Sequence, residues 1–137
     1  MAKVLFCEDS PIIQKLILFS MRGTSHEVFV AVDGADGMAM VERTQPDLVF
    51  TDLYMPRMDG ISLTRSMKAC PNVAHIPVIL ITASGEVESI DEAYRMGMAS
   101  HILKPFSPAT LRQMVADWLV RSACLPVPSD ASSRDAG

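Results

Sequence analysis

The sequence predicts an α/β protein, built on a doubly wound five-stranded parallel sheet with five helices. Two observations predict this fold. Short apolar runs, typical of strands buried on both faces of a sheet, recur along the chain. Segments with apolar residues at helical spacing separate these runs. Alternation of this kind implies right-handed β–α–β crossovers and a parallel sheet that helices cover on both faces.

Each apolar run predicts one strand. The predicted strands are Val4–Cys7, Val28–Val32, Asp47–Asp52, Pro77–Thr82 and His101–Leu103. A helix is expected after each strand. The first is expected to start at the capping pair Ser10-Pro11 and to stop at Gly23. Its inner face is expected to carry Ile12, Ile13, Leu16, Ile17 and Ser20.

The other four helices follow from similar signals. The second is expected to end before Pro46, the third to span Ile61 to about Ala69, and the fourth to span Glu86–Met96. The fourth is expected to turn one side inward, formed by Val87, Ile90, Ala93 and Tyr94. The fifth begins at a second capping pair, Ser107-Pro108, and carries an amphipathic stripe of Leu111, Met114, Val115, Trp118 and Leu119.

Composition limits the classes of protein that fit. The chain has 137 residues, of which 49% are hydrophobic and 20% charged, and its net charge is −4. These values indicate one globular domain and argue against nucleic-acid binding. No apolar stretch approaches the roughly 18 residues of a membrane span, and no signal peptide is visible, so we expect a cytoplasmic protein. We expect a domain over residues 1–124 and a polar, frayed tail over 125–137.

The three cysteines, Cys7, Cys70 and Cys124, form no CxxC pair. An odd count without such a pair indicates neither a disulfide framework nor a zinc site. Cys7 lies in an apolar run and is expected to be a small buried side chain.

Charged and hydroxyl residues follow four of the five predicted strands. They are Glu8 and Asp9, then Asp52, Thr82 and Lys104. Because ligands of open parallel sheets bind at the carboxyl ends of the strands, we expect these residues to converge. Three carboxylates repel one another, and Mg²⁺ resolves that repulsion. A carboxylate beside Mg²⁺ can act as a nucleophile and form an aspartyl phosphate, with Lys104 and Thr82 contacting the phosphoryl oxygens.

This arrangement resembles the receiver domains of two-component response regulators, in size the single-domain chemotaxis type. The matching motifs are Glu8-Asp9, Asp52, the loop Met55-Pro56-x-Met58-Asp59-Gly60, Thr82-Ala83 and Lys104-Pro105-Phe106. They occur in the family's order over residues 3 to about 122. The resemblance implies a flavodoxin-like fold with strand order 2-1-3-4-5.

The resemblance also implies a role for each site residue. Asp52 is then the phosphoryl acceptor, and Glu8, Asp9, Asp52 and the backbone carbonyl of Tyr54 hold Mg²⁺. Lys104 pairs with the carboxylate or phosphoryl oxygens, and the Lys104–Pro105 peptide is cis. Thr82 moves to the phosphoryl group, and His101 swings inward behind it.

The implied function is a phosphorylation-controlled signalling switch and not an enzyme. A histidine kinase or phosphotransfer protein donates the phosphoryl group to Asp52. The surface of the fourth helix, fifth strand and fifth helix then binds a target protein. The chain is expected to be a monomer or a weak phosphorylation-dependent dimer, with no nucleic-acid or membrane partner.

Two positions depart from the family pattern. The switch position usually carries Tyr or Phe, and His101 is smaller and can titrate. Tyr54 and Ser84, two residues beyond Asp52 and Thr82, occupy positions that tune the phosphoryl lifetime in the family. A bulky Tyr54 favours slower hydrolysis because it hinders an attacking water.

Other interpretations stay open from the sequence. A phosphohydrolase of the haloacid dehalogenase type needs a second acid two residues after the nucleophile, where this chain has Tyr54. A receiver-like module that is not phosphorylated usually lacks an acid or the lysine, and here none is missing. The chain could also be part of a longer protein. Asp59 is expected only to cap the third helix and Asp33-Gly34 only to form a turn.

Overall fold

The computed structural model describes residues 2–83 and 87–124, with the backbone alone at 87–89 and 122–124. Ser84 and the predicted tail over 125–137 lie outside the described residues. Ten elements alternate strictly between strand and helix. Among the described residues, no helix has the length and apolar character needed to cross a membrane.

Five parallel strands form one sheet, in the order β2-β1-β3-β4-β5. The strands are β1 Lys3–Cys7, β2 Glu27–Ala31, β3 Leu48–Asp52, β4 Val78–Ala83 and β5 Ser100–Lys104. The predicted fold class and strand order are confirmed. Each strand differs from its predicted bounds by one residue at one or both ends, since a hydrogen-bonded ladder does not stop where apolar character stops.

Five helices connect and cover the strands. They are α1 Pro11–Ser20, α2 Gly34–Thr44, α3 Gly60–Lys68, α4 Val87–Arg95 and α5 Pro108–Cys124. Ser10 caps α1, with its side chain accepting a hydrogen bond from the Ile13 amide. Asp59 caps α3 by accepting from the Ser62 amide at 2.7 Å. These caps satisfy amide groups that a helix leaves unpaired in its first turn.

Two apolar cores lie on opposite faces of the sheet. One contains Ile17 of α1 and Leu111 and Val115 of α5, packed on Phe6 and Phe50. The other contains residues of α2, α3 and α4 over the opposite face, including Val41, Leu63, Met67 and Ala93. Phe6 and Phe50 stack with ring centroids 5.0 Å apart, which joins the two central strands. The packed sheet therefore holds the residues at its strand ends in fixed positions.

Three sequence expectations about α1 and α4 are wrong. Ile12 is 78% exposed, because the inward stripe of α1 begins only at Ile13. The helix ends at Ser20, and Gly23, with φ of 83°, belongs to the turn that follows. Tyr94 is 42% exposed while its neighbour Ala93 is buried, since adjacent helical residues point about 100° apart.

The expected burial of Cys7 leads to a test of its reactivity. Cys7 is fully buried between the sheet and α2, and burial raises the pKa of its thiol to about 12. Because iodoacetamide reacts with the thiolate, we expect Cys7 to resist alkylation at pH 8 while the half-buried Cys70 reacts. Peptide mass mapping before and after denaturation measures both. Labelling of native Cys7 as fast as Cys70 would contradict this packing.

Candidate functional site

The predicted site residues lie at the carboxyl edge of the sheet. Glu8 and Asp9 follow β1, Asp52 ends the neighbouring β3, and Lys104 ends β5. Because β1 and β3 are adjacent, their acidic ends come together without any special loop. Oxygen atoms of Glu8, Asp9 and Asp52 all lie within 4.8 Å of one another.

Glu8 is the least accessible of the three acids. Its side chain is fully buried, and Oε2 accepts a hydrogen bond from the Ser10 amide at 3.1 Å. Its own backbone is held by a 2.9 Å bond from its amide to the Ala31 carbonyl and by the Gln14 side chain. Asp9, by contrast, is exposed. The pair therefore offers one fixed and one accessible carboxylate.

Lys104 is the cation that faces this cluster. Its Nζ lies 3.2 Å from Asp52 Oδ1 and 3.8 Å from Glu8 Oε1. Asp52 Oδ1 also accepts a hydrogen bond from the Leu53 amide at 3.0 Å. The Lys104–Pro105 peptide, which follows directly, is cis. One ammonium thus faces two buried carboxylates, and a net negative charge remains.

Burial and mutual repulsion change the acidity of this cluster. Burial, and after it the nearby Asp52 charge, raises the pKa of Glu8 to about 7. Burial also raises the pKa of Asp52, while Lys104 opposes that rise. A positive charge in the cluster would favour the ionised form of both acids.

The donor set fits a hard divalent cation. All the candidate ligands are carboxylate oxygens, which Mg²⁺ prefers. Glu8 Oε1 is buried and has no hydrogen-bond partner among the described residues. Buried polar atoms are rarely left unpaired, so a cation or its bound water would satisfy this oxygen.

The loop from β3 to α3 borders the site. The Gly60 amide donates to the Leu53 carbonyl at 2.8 Å, and a Cβ at Gly60 would lie 2.3 Å from the Asp52 carbonyl oxygen. Only glycine therefore allows α3 to begin so close to the end of β3. Tyr54, two residues beyond Asp52 in this loop, is 62% exposed.

Thr82 and His101 lie on the face of the sheet that α4 covers. Thr82 is fully buried near the end of β4, two residues beyond Leu80, which belongs to the core beneath α4. His101 pairs with Leu80 in the β4–β5 register. The side chains of His101 and Thr82 are therefore diagonal neighbours on one face of the sheet. The His101 ring is engaged with α4, where its Nδ1 lies 2.7 Å from the Tyr94 hydroxyl.

Sequence reasoning missed two side-chain pairs around the site. Tyr94 was expected to pack inward, yet it contacts His101 edge-on with ring centroids 5.8 Å apart. Asp33 was expected only in a turn, yet it caps α2 and forms an ion pair with Arg57 at 2.9 Å. The cap signal, an Asp before a helix, was readable from the sequence. No local pattern indicates either pair, because the partners come from different elements.

The buried charge of Glu8 predicts how stability varies with pH. A raised pKa means that the folded protein binds more protons than the unfolded chain between about pH 4.5 and 7. Stability of the metal-free protein therefore falls as pH rises through that window. We expect Glu8→Gln to be more stable than wild type at pH 8 by about 1 kcal/mol, because a neutral amide at this buried position avoids the cost of ionising a carboxylate there.

Urea unfolding in EDTA at pH 8 and pH 4.5 measures this effect. The advantage of Glu8→Gln is expected to disappear at pH 4.5. The exposed Asp9 supplies the matched control, Asp9→Asn, for which a smaller gain is expected at pH 8. A Glu8→Gln variant less stable than wild type at pH 8 would show that the carboxylate stabilises the fold.

Comparison with known proteins agrees with this geometry. The sequence profile of the response regulator receiver domain matches residues 4–116. The chemotaxis protein CheY-3 of Vibrio cholerae is 33% identical over 112 residues, which cover 81% of this chain and 86% of that protein. The DNA-binding dual master transcriptional regulator RpaA of Synechocystis is 29% identical over 126 residues. The match covers 92% of this chain but only 52% of RpaA.

A solved structure of similar fold contains a bound metal ion. The receiver domain of the sensor histidine kinase PA1611 from Pseudomonas aeruginosa superposes with a TM-score of 0.79 at 29% identity. The match covers 86% of this chain and 97% of that domain, and that structure has a magnesium ion coordinated in its active site cleft. The profile match, the relatives and the fold together show that this chain belongs to the response regulator receiver domains of two-component systems.

Proposed function

We propose that this chain is a phosphorylation-controlled switch whose Asp52 accepts a phosphoryl group from a histidine kinase or phosphotransfer protein. Receiver domains of two-component systems are phosphorylated on an aspartate and act as signalling switches. The observation that carries the assignment to Asp52 is its position between Lys104 and two further acids. The Lys104 ammonium lies 3.2 Å from Asp52 and 3.8 Å from Glu8, and the Asp52 side chain is 10% exposed whereas that of Glu8 is fully buried, so Asp52 is the best-placed acceptor.

Phosphoryl transfer follows from this arrangement. A carboxylate oxygen of Asp52 attacks the phosphorus of the donor phosphohistidine, the P–N bond breaks, and an acyl phosphate forms. The departing imidazole keeps the electron pair and takes a proton from solvent. Glu8, Asp9, Asp52 and the Tyr54 carbonyl would hold Mg²⁺, and the bound ion would neutralise charge on the phosphoryl oxygens. Lys104, 3.2 Å from Asp52, is placed to follow the new negative charge onto the phosphoryl group.

The same residues argue against a dedicated phosphohydrolase. A second carboxyl group at the position of Tyr54 would be needed to protonate a leaving group, and a phenol is too weak an acid to replace it. An exposed Tyr54 beside the acceptor also stands in the way of water attack. We therefore expect only slow self-dephosphorylation.

We propose that the surface formed by α4, β5 and α5 transmits the signal by binding a target protein. Phosphorylation adds about two negative charges at Asp52. Thr82 would then turn toward the phosphoryl group, and the diagonal neighbour His101 would move into the space behind it. An apolar groove of about 440 Å³ adjoins His101 and is lined by Leu103, Phe106 and Met114. A change at His101 would therefore alter a surface that suits a protein target, with Leu103 already 46% exposed.

The intact mass after incubation with acetyl phosphate tests whether Asp52 is the phosphoryl acceptor. Wild type is expected to gain one phosphoryl mass in Mg²⁺ and none in EDTA, because three acids without a cation repel the anionic donor. Asp52→Asn is expected to gain nothing. Asp59→Asn is the matched control, since Asp59 caps α3 outside the cluster and asparagine preserves the cap. A phosphoryl mass on Asp52→Asn would contradict the assignment.

Removal of the Tyr94 hydroxyl tests whether His101 moves inward when the phosphoryl site is occupied. Its hydrogen bond to His101 stabilises the outward position of that ring. We expect Tyr94→Phe to bind beryllium fluoride, a mimic of the phosphoryl group, about threefold to fivefold more tightly in Mg²⁺, since one hydrogen bond no longer opposes the inward state. Fluorescence or calorimetric titration measures the change. Unchanged or weaker affinity would show that His101 does not move with the phosphoryl site.

A further inference from the structure

An ion pair joins two loops at the flank of the acidic cluster. Arg57 in the β3–α3 loop donates from Nε to Asp33 Oδ2 at 2.9 Å and from Nη2 to Asp33 Oδ1 at 3.1 Å. Asp33 lies in the turn between β2 and α2, 24 residues away in sequence. A guanidinium that binds both oxygens of a carboxylate fixes orientation as well as distance.

The Asp33 end of the pair is held rigidly. Asp33 caps α2 by accepting a hydrogen bond from the Asp36 amide at 2.8 Å, and its side chain is 10% exposed. Beside it, a Cβ at Gly34 would lie 2.0 Å from the Met58 carbonyl oxygen, so the two loops touch backbone to backbone. The Arg57 guanidinium also lowers the pKa of Asp33, which keeps the carboxylate charged.

The Arg57 end lies in the loop that would supply a metal ligand. Arg57 has φ of 68°, a left-handed conformation that is uncommon for residues other than glycine. It follows Tyr54 by three residues, and the Met58 amide closes a tight turn onto the Pro56 carbonyl at 2.8 Å. Between Leu53 and Gly60 this loop is anchored to its neighbour by the Arg57 side chain and the Gly34–Met58 contact.

We propose that the Asp33–Arg57 ion pair positions the Tyr54 backbone carbonyl for Mg²⁺ binding. This inference rests on the proposed function, since Tyr54 belongs to the proposed ligand set. Mg²⁺ demands near-ideal octahedral geometry, so a carbonyl displaced by a mobile loop lowers its affinity. Arg57 and Asp33 do not belong to the acidic cluster and would act through the loop that carries Tyr54, which makes them positioning residues.

An effect of charge and an effect of loop positioning predict different changes in Mg²⁺ affinity when Arg57 or Asp33 is substituted. The positive charge of Arg57 repels a cation, so by charge alone its removal would tighten Mg²⁺ binding. Neutralising Asp33 leaves Arg57 uncompensated, which would weaken it. Positioning predicts that both changes weaken binding. The two variants therefore move in the same direction only if the pair acts through loop geometry.

Isothermal titration with MgCl₂ at 25 °C tests this on the full chain. We expect Asp33→Asn, which keeps the α2 cap, and Arg57→Met, which keeps side-chain length, each to weaken Mg²⁺ binding about threefold to tenfold. Arg57→Lys keeps the charge but loses the fork and is expected to fall between wild type and Arg57→Met. Arg65→Met, at an exposed arginine on α3, is the matched control and is expected to bind as wild type.

The positioning role is overturned if the Mg²⁺ affinities of Asp33→Asn and Arg57→Met shift in opposite directions, or if they shift by less than twofold. The proposed metal site stands in either case. A loss of thermal stability in EDTA with unchanged Mg²⁺ affinity also overturns the positioning role, because the pair would then serve the fold alone. A wild-type protein that binds no Mg²⁺ overturns the metal site itself and the inference with it.

Discussion

The gathering of three carboxylates at the ends of two adjacent strands is the constraint on which the rest of the site depends. Strand order places β1 beside β3, so Glu8, Asp9 and Asp52 meet within 4.8 Å. Burial makes their repulsion more costly, as the raised pKa of Glu8 shows. Lys104 from β5 relieves part of that repulsion at 3.2 Å from Asp52. A divalent cation would relieve the remainder, so the same arrangement that strains the metal-free protein prepares it for phosphoryl chemistry.

The two apolar cores make such a strained edge tolerable. The central strands β1 and β3 are buried along most of their length, and Phe6 and Phe50 stack between them. Each large apolar side chain buried in these cores stabilises the fold by roughly 2 kcal/mol, which exceeds the effect of about 1 kcal/mol expected for the Glu8 carboxylate. Because the acids follow the strands directly, the core also holds their positions.

Two side-chain pairs flank the acidic cluster, and they connect it to different parts of the surface. Asp33 and Arg57 join the loops after β2 and β3, beside the proposed metal ligand Tyr54. Tyr94 and His101 join α4 to β5 on the far side of Thr82. The first pair concerns how the site is assembled, and the second concerns how a change at Asp52 would reach the apolar groove beside Leu103.

The sequence alone determined the element order, the helix caps at Ser10 and Asp59, and the end of each strand to within one residue, because hydrophobic periodicity and capping are local. In a parallel sheet those strand ends share one edge, so the acidic cluster was predictable as well. Only the tertiary structure decided the pairing of Asp33 with Arg57, the contact of Tyr94 with His101, and the exposure of Ile12. These depend on how helices rotate and loops approach over the sheet. Such angles and distances are set by packing between distant segments, and no local pattern encodes them.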